Sequence, residues 1–201
     1  MKQIVLASLG LAVLLAACSP AKKDAGEDQP DAVSDQPEFS ENFDPAQKNL
    51  IRGKAFLDEN KNAKGVIITD SGLQYKVIKA GPKDGKHPYP GQFVCVNYEG
   101  KTIDGKEFDS SYTRGVPAVF PSNRLIKGWV EALATMRPGD EWMLYIKPEL
   151  AYGASGTMGG PIGPNETLVF KINLIKLMDL SVDEYRRTYG ADQTLDCSKA
   201  D

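Results

Sequence analysis

Leu125-Ile126-Lys127-Gly128-Trp129-Val130-Glu131-Ala132-Leu133-Ala134-Thr135-Met136 is the stretch whose reading decides the fold. From Ile126 the apolar residues fall at Trp129, Val130, Leu133 and Met136, the spacing of a single helix face. Pro138-Gly139 is expected to stop the helix. The chain on both sides reads as short strands, so this is the one substantial helix of a β-rich domain, with Trp129 turned into whatever the sheet encloses. A tryptophan in that place is either plain core or the floor of a pocket.

The flanking strands show a period of two. Leu73, Tyr75 and Val77 alternate with polar residues; Val94, Val96 and Tyr98 alternate with Phe93, Cys95 and Asn97. Trp142, Leu144 and Ile146 repeat the pattern, as do Leu168, Phe170, Ile172 and Leu174. Asp104-Gly105 between two short β-like runs marks a hairpin. Strands surrounding one helix predict an α+β fold, a curved antiparallel sheet wrapped around a short helix.

Upstream, Met1 to Ala17 has a minimal positive start at Lys2 and an apolar run from Ile4 to Leu15, too short to span a bilayer comfortably. Its ending, Leu15-Ala16-Ala17-Cys18, resembles the lipobox of bacterial lipoproteins, in which the cysteine is lipidated and becomes the first mature residue. The alternative is cleavage near Ala17 that leaves Cys18 a free thiol. The resemblance implies an exported, lipid-anchored periplasmic protein, and Ser19 after the cysteine implies sorting to the outer membrane. Residues 18–42 are rich in charge, Pro, Gln and Ala and hold few large apolar residues, so they read as a flexible tether with a reach of roughly 25–30 Å.

Asp44-Pro45-Ala46-Gln47 starts a helix by its chemistry: a capping oxygen, proline at the first position, and Gln three residues past the cap. That helix belongs to residues 43–64 and has Leu50, Ile51 and Leu57 as its expected buried side. It is marginal alone and needs the domain, or a second copy of itself, to dock on. Ser181-Val182-Asp183-Glu184 is a capping box that opens a short helix in a tail of residues 179–201. With Cys18 lipidated, Cys95 and Cys197 are left in an oxidising compartment. Cys95 sits on the strand face opposite Val94 and Val96, where a tail crossing the sheet could reach it, so a disulfide between the two is expected.

Composition narrows the chemistry. The formal net charge is −3 over 201 residues with Lys and Arg dispersed, which leaves no footprint for nucleic acid. One histidine and three cysteines supply little for a metal site or for imidazole acid–base work, and no cofactor is implied. His87 lies in a proline-rich turn, and Ser110 and Ser111 after Asp109 lack a glycine elbow, so a hydrolytic triad does not assemble. Gly153 to Gly160 lacks the Lys-Ser/Thr ending of a phosphate loop and leads to a strand, which makes it a surface loop.

Aromatic and polar residues do punctuate the strand ends: Tyr98-Glu99-Gly100, Phe108-Asp109-Ser110-Ser111, and Ala151-Tyr152-Gly153. In this order, with Gly128-Trp129 between them and Thr167-Leu168-Val169-Phe170 after, they closely resemble the FKBP family of peptidyl-prolyl cis-trans isomerases. The resemblance covers residues 65–178. It implies an isomerase acting on proline-containing exported polypeptides, with macrolides as possible inhibitors. By the same resemblance Tyr98, Phe108, Trp129 and Phe170 are walls and floor of a prolyl pocket, with Leu125 and Ile126 at its edge and Ile162 on the loop above. Asp109 matches the rim carboxylate, Arg114 the arginine that holds it, and Tyr152 and the Ile126 N–H the two donors to a substrate carbonyl.

There are departures from the pattern. Ala118 stands where the family commonly has Phe or Leu, which implies a lower wall. Arg124 replaces an often acidic residue, and the loop from Ser155 to Pro164 is one residue longer. These favour, as alternatives, a holding chaperone or a partner-binding module with weak or no turnover. The chain upstream is too short for the long helical dimerisation module of periplasmic Mip-like relatives, so a monomer is expected.

Overall fold

The computed structural model describes residues 44–190 and 196–199; the signal segment, Cys18 and the tether lie outside the described residues. In chain order the elements are α1 (Pro45–Asn60), β1 (Val66–Ile68), β2 (Gln74–Lys79), β3 (Phe93–Thr102), β4 (Glu107–Ser110), α2 (Ser111–Arg114), β5 (Ala118–Pro121), α3 (Lys127–Leu133), β6 (Glu141–Ile146), β7 (Leu168–Met178) and α4 (Val182–Thr188). The strands form one antiparallel sheet in the order β1-β2-β6-β7-β3-β4, and β5 pairs with β3. Strand β3 carries β7 along one edge; along the other it carries β5 at Phe93–Val96 and β4 at Glu99–Lys101. Register shifts at Val77/Lys79, Cys95/Val96 and Gly100/Lys101 mark where extra residues bend these strands.

Alternation along the strands sorts the side chains into two clusters. Val94, Val96 and Tyr98 of β3, Trp142, Leu144 and Ile146 of β6, and Leu168, Phe170, Ile172 and Leu174 of β7 meet Trp129, Ala132, Leu133 and Met136 in the main core. Phe93, Cys95 and Met178 belong to a second cluster, with Val119, Tyr189 and Cys197. Cys95 and Cys197, both fully buried and 102 residues apart, are joined by a disulfide. Closing a loop of that size removes denatured-state entropy worth about 4–5 kcal/mol.

Helix α3 is shorter than its spacing predicts. It ends at Leu133, one turn before Pro138-Gly139, because Thr135 N–H turns back onto the Ala132 carbonyl and the Thr135 hydroxyl donates to the same oxygen. Met136 keeps its expected place nonetheless, fully buried beyond the helix end. Gly128 brings the helix close to β6: a Cβ there would stand 2.8 Å from Ile146 Cγ2.

Helix α1 begins at the expected cap, where Asp44 Oδ1 accepts from Ala46 N–H at 2.9 Å, but it docks through a different face. Leu50 and Ile51 remain 45% and 38% exposed, and of the expected trio only Leu57 is half-buried. The contacting face is Asn49, Gly53, Phe56 and Asn60, spaced at helical period but mostly polar or small. Asn49 donates to the Pro164 carbonyl at 2.9 Å, Asn60 to Gln74 Oε1 at 2.8 Å, and the Phe56 ring lies 6.0 Å from Tyr145. Gln74 returns a bond to the Leu57 carbonyl at 2.8 Å, and Arg52 pairs with Asp104 in the β3–β4 hairpin. Gly53 rests against Thr167 with no room for a side chain. Replacing Gly53 with Val should therefore release α1 while leaving the sheet intact, costing about 1–3 kcal/mol. Hydrogen exchange should show fast amides confined to α1; unchanged protection there would contradict the docking described.

Candidate active site

The last residue before α3 sets the mouth of a cavity. Ile126 has an extended backbone, and its carbonyl caps the helix by accepting from Trp129 N–H at 3.0 Å and Val130 N–H at 3.1 Å. Among the described residues its own N–H donates to no other backbone group. Behind it, Trp129 lies on the buried side of α3 and meets three rings edge-on. Tyr98 is 5.2 Å away, Phe170 5.3 Å and Phe120 6.1 Å, centroid to centroid, with interplanar angles of 84°, 87° and 86°. Phe108 continues the wall, its ring 5.5 Å from Phe170. Such edge-to-face pairs each contribute about 0.5–1.5 kcal/mol beyond their burial.

These rings enclose a cavity of about 360 Å³ lined by Tyr98, Phe108, Phe120, Trp129, Tyr152 and Phe170, with Asp109, Arg124, Leu125 and Ile126 at the mouth. The rings come from distant places in the chain. In the sheet register Phe170 lies opposite Gly100 and Leu144, and Ile172 opposite Tyr98 and Trp142, so β7 and β3 present their aromatic side chains to the face that α3 covers. The indole Nε1 of Trp129 is buried without a hydrogen-bond partner, so its place is held by shape and not by polar bonding.

One rim is polar. The Tyr98 hydroxyl donates to Asp109 Oδ2 at 2.5 Å, Arg114 Nη2 donates to the Tyr98 oxygen at 2.9 Å, and Arg114 Nη1 pairs with Asp109 Oδ1. The guanidinium also sits over the Tyr98 ring, 5.3 Å from its centroid. Both charged side chains are well exposed, so this ion pair fixes geometry more than it adds stability. Burial, reinforced by the Asp109 carboxylate and partly offset by Arg114, pushes the Tyr98 phenol up to about 12. Burial followed by the charge of Asp109 likewise raises Tyr152 above the usual phenol range. Both hydroxyls therefore keep their protons at neutral pH and can donate.

The serines that follow Asp109 are structural. Ser110 caps α2 by accepting from Thr113 N–H, and Ser111 accepts from Tyr98 N–H at 2.9 Å, tying β3 to the turn that carries Asp109. His87 lies outside the cavity lining, with Nδ1 3.1 Å from the Met136 carbonyl.

Most residues singled out from the sequence converge here, but not all. Ile162 does not line the cavity. It is 4% exposed and packs in the main core, held when Thr157 N–H donates to its carbonyl at 2.9 Å. Arg114 stands outside the lining too and acts through Tyr98 and Asp109. Ala118, expected as a low wall, lies beside the cavity and not in it. Two further residues line the cavity: Phe120, which faces the same way as Ala118 two residues earlier on β5 and was not singled out from the sequence, and Arg124, which the sequence marked only as a departure from the family pattern.

An open antiparallel sheet over a short helix, with a ring-lined cavity between them, makes a frame into which an apolar group fits. The chain belongs to the FKBP-type peptidyl-prolyl cis-trans isomerase family. That family's model matches residues 84–175, and the model for the domain amino terminal to such isomerases matches residues 15–77. The chain is 53% identical over 129 residues to peptidyl-prolyl cis-trans isomerase Mip of Coxiella burnetii, covering 64% of this chain and 55% of that protein. It is 47% identical over 132 residues to the outer membrane protein MIP of Legionella longbeachae, covering 66% and 55%. Among solved structures, the peptidyl-prolyl cis-trans isomerase of Pseudomonas syringae pv. tomato superposes with a TM-score of 0.61 at 34% identity, covering 68% of this chain and 98% of that one. The chain thus spans about half the length of these curated relatives.

The phenol shift gives a direct check. An unfolded tyrosine ionises near pH 10 and Tyr98 only at about 12, so the stability its buried proton confers is present below pH 10 and is lost as pH rises towards 12. Ultraviolet titration of the native protein should show a phenol ionising near pH 12 that Tyr98→Phe removes. A native titration complete by pH 11 would contradict the environment described.

Proposed function

We propose that this chain is a peptidyl-prolyl cis-trans isomerase whose substrates are proline-containing segments of exported polypeptides. The observation that carries the reading is the cavity floored by Trp129 and walled by Tyr98, Phe108, Phe120 and Phe170, with hydrogen-bond donors at its mouth.

Rotation about an X-Pro bond meets a barrier of about 18–20 kcal/mol that comes from amide resonance. The planar amide is more charge-separated than the twisted one, so moving it from water to a dry aromatic site favours the twisted form. In the proposed complex the proline ring rests on Trp129. The Tyr152 hydroxyl and the Ile126 N–H donate to substrate carbonyls and hold the twisted geometry. Asp109, fixed by Tyr98 and Arg114, sets the polar rim. Each 1.36 kcal/mol taken from the barrier is about tenfold in rate, and none of these steps moves a proton. A macrolide that presents a proline-like ring would compete for the same cavity. The chaperone and partner-module readings rest on Ala118 and on the longer loop from Ser155 to Pro164, and the first of these loses weight because Ala118 lies beside the prolyl cavity and not in it.

Catalysed isomerisation of a proline peptide tests the reading. Wild type should accelerate exchange, Tyr152→Phe should lose about tenfold in kcat/KM, the worth of one hydrogen bond, and Trp129→Ala should lose more together with stability. The rate should stay flat between pH 6 and 9. Absent turnover by wild type would overturn the assignment.

We also infer that residues 1–17 are a lipoprotein signal, that Cys18 is lipidated, and that residues 18–42 tether an isomerase domain of residues 65–178 to the periplasmic side of the outer membrane. The lipobox-like ending at Cys18 supports this, as does the likeness to the outer membrane protein MIP of Legionella longbeachae. Residues 43–64 support the domain through α1, whose docking on its own sheet favours a monomer. Cys18→Ser should move the protein from the membrane to the soluble periplasmic fraction; unchanged membrane retention would count against the anchor.

A further inference from the structure

The prolyl cavity has a neighbour. A second hollow of about 240 Å³ shares Tyr98, Asp109 and Phe120 with it and is completed by Ala118 on β5 and by Tyr185 and Tyr189 of the C-terminal segment. That far wall lies beyond residue 175, where the family model's match ends.

A seven-residue helix does not persist in water on its own, and α4 is held in three ways. Its start is a complete capping box between Ser181 and Glu184. Tyr185 stacks on Phe93 with ring centroids 4.5 Å apart. Tyr189 is buried in one cluster with Phe93, Val119 and the Cys95–Cys197 disulfide, which pins the chain just past the helix to β3. The outcome is a tyrosine-bearing wall fixed beside the rim of the site, facing a residue small enough to leave the space open.

We propose that this hollow is a second subsite for the same polypeptide: while a proline occupies the cavity over Trp129, a large uncharged side chain close by in the substrate settles between Ala118 and the C-terminal tyrosines Tyr185 and Tyr189. The inference rests on the isomerase reading above. Continuity supports it, since the two hollows share three lining residues and one extended chain can occupy both. The hollows adjoin through Tyr98, Asp109 and Phe120, so on an extended chain the second side chain lies within a few residues of the proline. The chemistry of the lining sets its class. The charges present, Asp109 and Arg114, are paired with each other, and the remaining lining is tyrosine, phenylalanine, alanine, proline and valine, which suits an aromatic or long aliphatic group. The C-terminal segment and its disulfide thereby act on substrate choice and not on the bond rotation itself.

The test uses the mature chain and a set of glycine-flanked Ala-Pro octapeptides, with either no further side chain or a single Phe placed two or three residues before or after the proline. Wild type should turn over at least one Phe peptide with a KM about tenfold below that of the plain peptide at similar kcat, the scale of burying part of an apolar side chain. Ala118→Phe, which fills the hollow, should abolish that preference while leaving plain-peptide kcat/KM within about twofold. Cys197→Ser and dithiothreitol-reduced wild type, which keep the identity of every lining residue but unpin the tail that carries Tyr185 and Tyr189, should weaken the preference in the same direction. Wild type without a Phe preference, or variants that change both peptides equally, would overturn the subsite. If wild type turns over neither peptide, the isomerase reading has failed, and tryptophan-fluorescence titration with the same peptides decides the hollow. Tighter binding of a Phe peptide that Ala118→Phe removes sustains the subsite, and equal binding ends it.

Discussion

The structure depends on covering one tryptophan. Trp129 belongs to a seven-residue helix that could not hold its shape in water, and it becomes rigid only because Tyr98, Phe120 and Phe170 close on it edge-first from three strands. Those strands, β3, β5 and β7, are adjacent through the long β3, so the register of one sheet fixes the position of every ring. Gly128 completes the arrangement by letting the helix approach Ile146 more closely than a side chain would permit. Core and pocket are therefore one construction: the packing that stabilises α3 also shapes the hollow above it.

That construction suits a reaction in which no bond to a heavy atom is made or broken. The rim residues hold their hydroxyl protons because burial and a nearby carboxylate keep both phenols above their ordinary range. The walls offer little to stabilise separated charge. In the proposed complex a planar amide loses solvation on entering, a twisted one loses less, and donors at the mouth hold the carbonyls of the second. Preorganisation here comes from ring packing, and the ion pair of Asp109 and Arg114 contributes orientation, as its exposure requires.

The sheet was legible in the sequence because alternation states directly which residues share a face: the three buried positions of β6 and the first four of the five in β7 are those the period of two picks out. The floor of the site was legible for the same reason at helical period, and the tail helix by its capping box. What escaped followed from contacts that do not use large apolar groups. Helix α1 turns Asn49, Gly53 and Asn60 inward, so hydrophobic spacing missed the docking face for Leu50 and Ile51 and was right only for the half-buried Leu57. Ile162 lies on a loop by sequence, yet it reaches the core because Thr157 folds the loop back on it. Phe120 could have been found: β5 reads as a strand, and a residue two places from Ala118 must face the same way.

The disulfide-pinned C-terminal segment adds to this plan from the other face of the sheet. Phe93 and Cys95, alternating with the core residues of β3, hold α4 where its tyrosines border the rim. One strand thus supplies the floor contacts of the cavity through Tyr98 and the anchor of its neighbour through Cys95. The most direct measurement of how the site works is the solvent deuterium isotope effect on catalysed cis–trans exchange of a proline peptide, followed by exchange spectroscopy. A site that acts by desolvation and fixed donors predicts equal rates in water and deuterium oxide, whereas a marked slowing in deuterium oxide would put a proton in flight and contradict it.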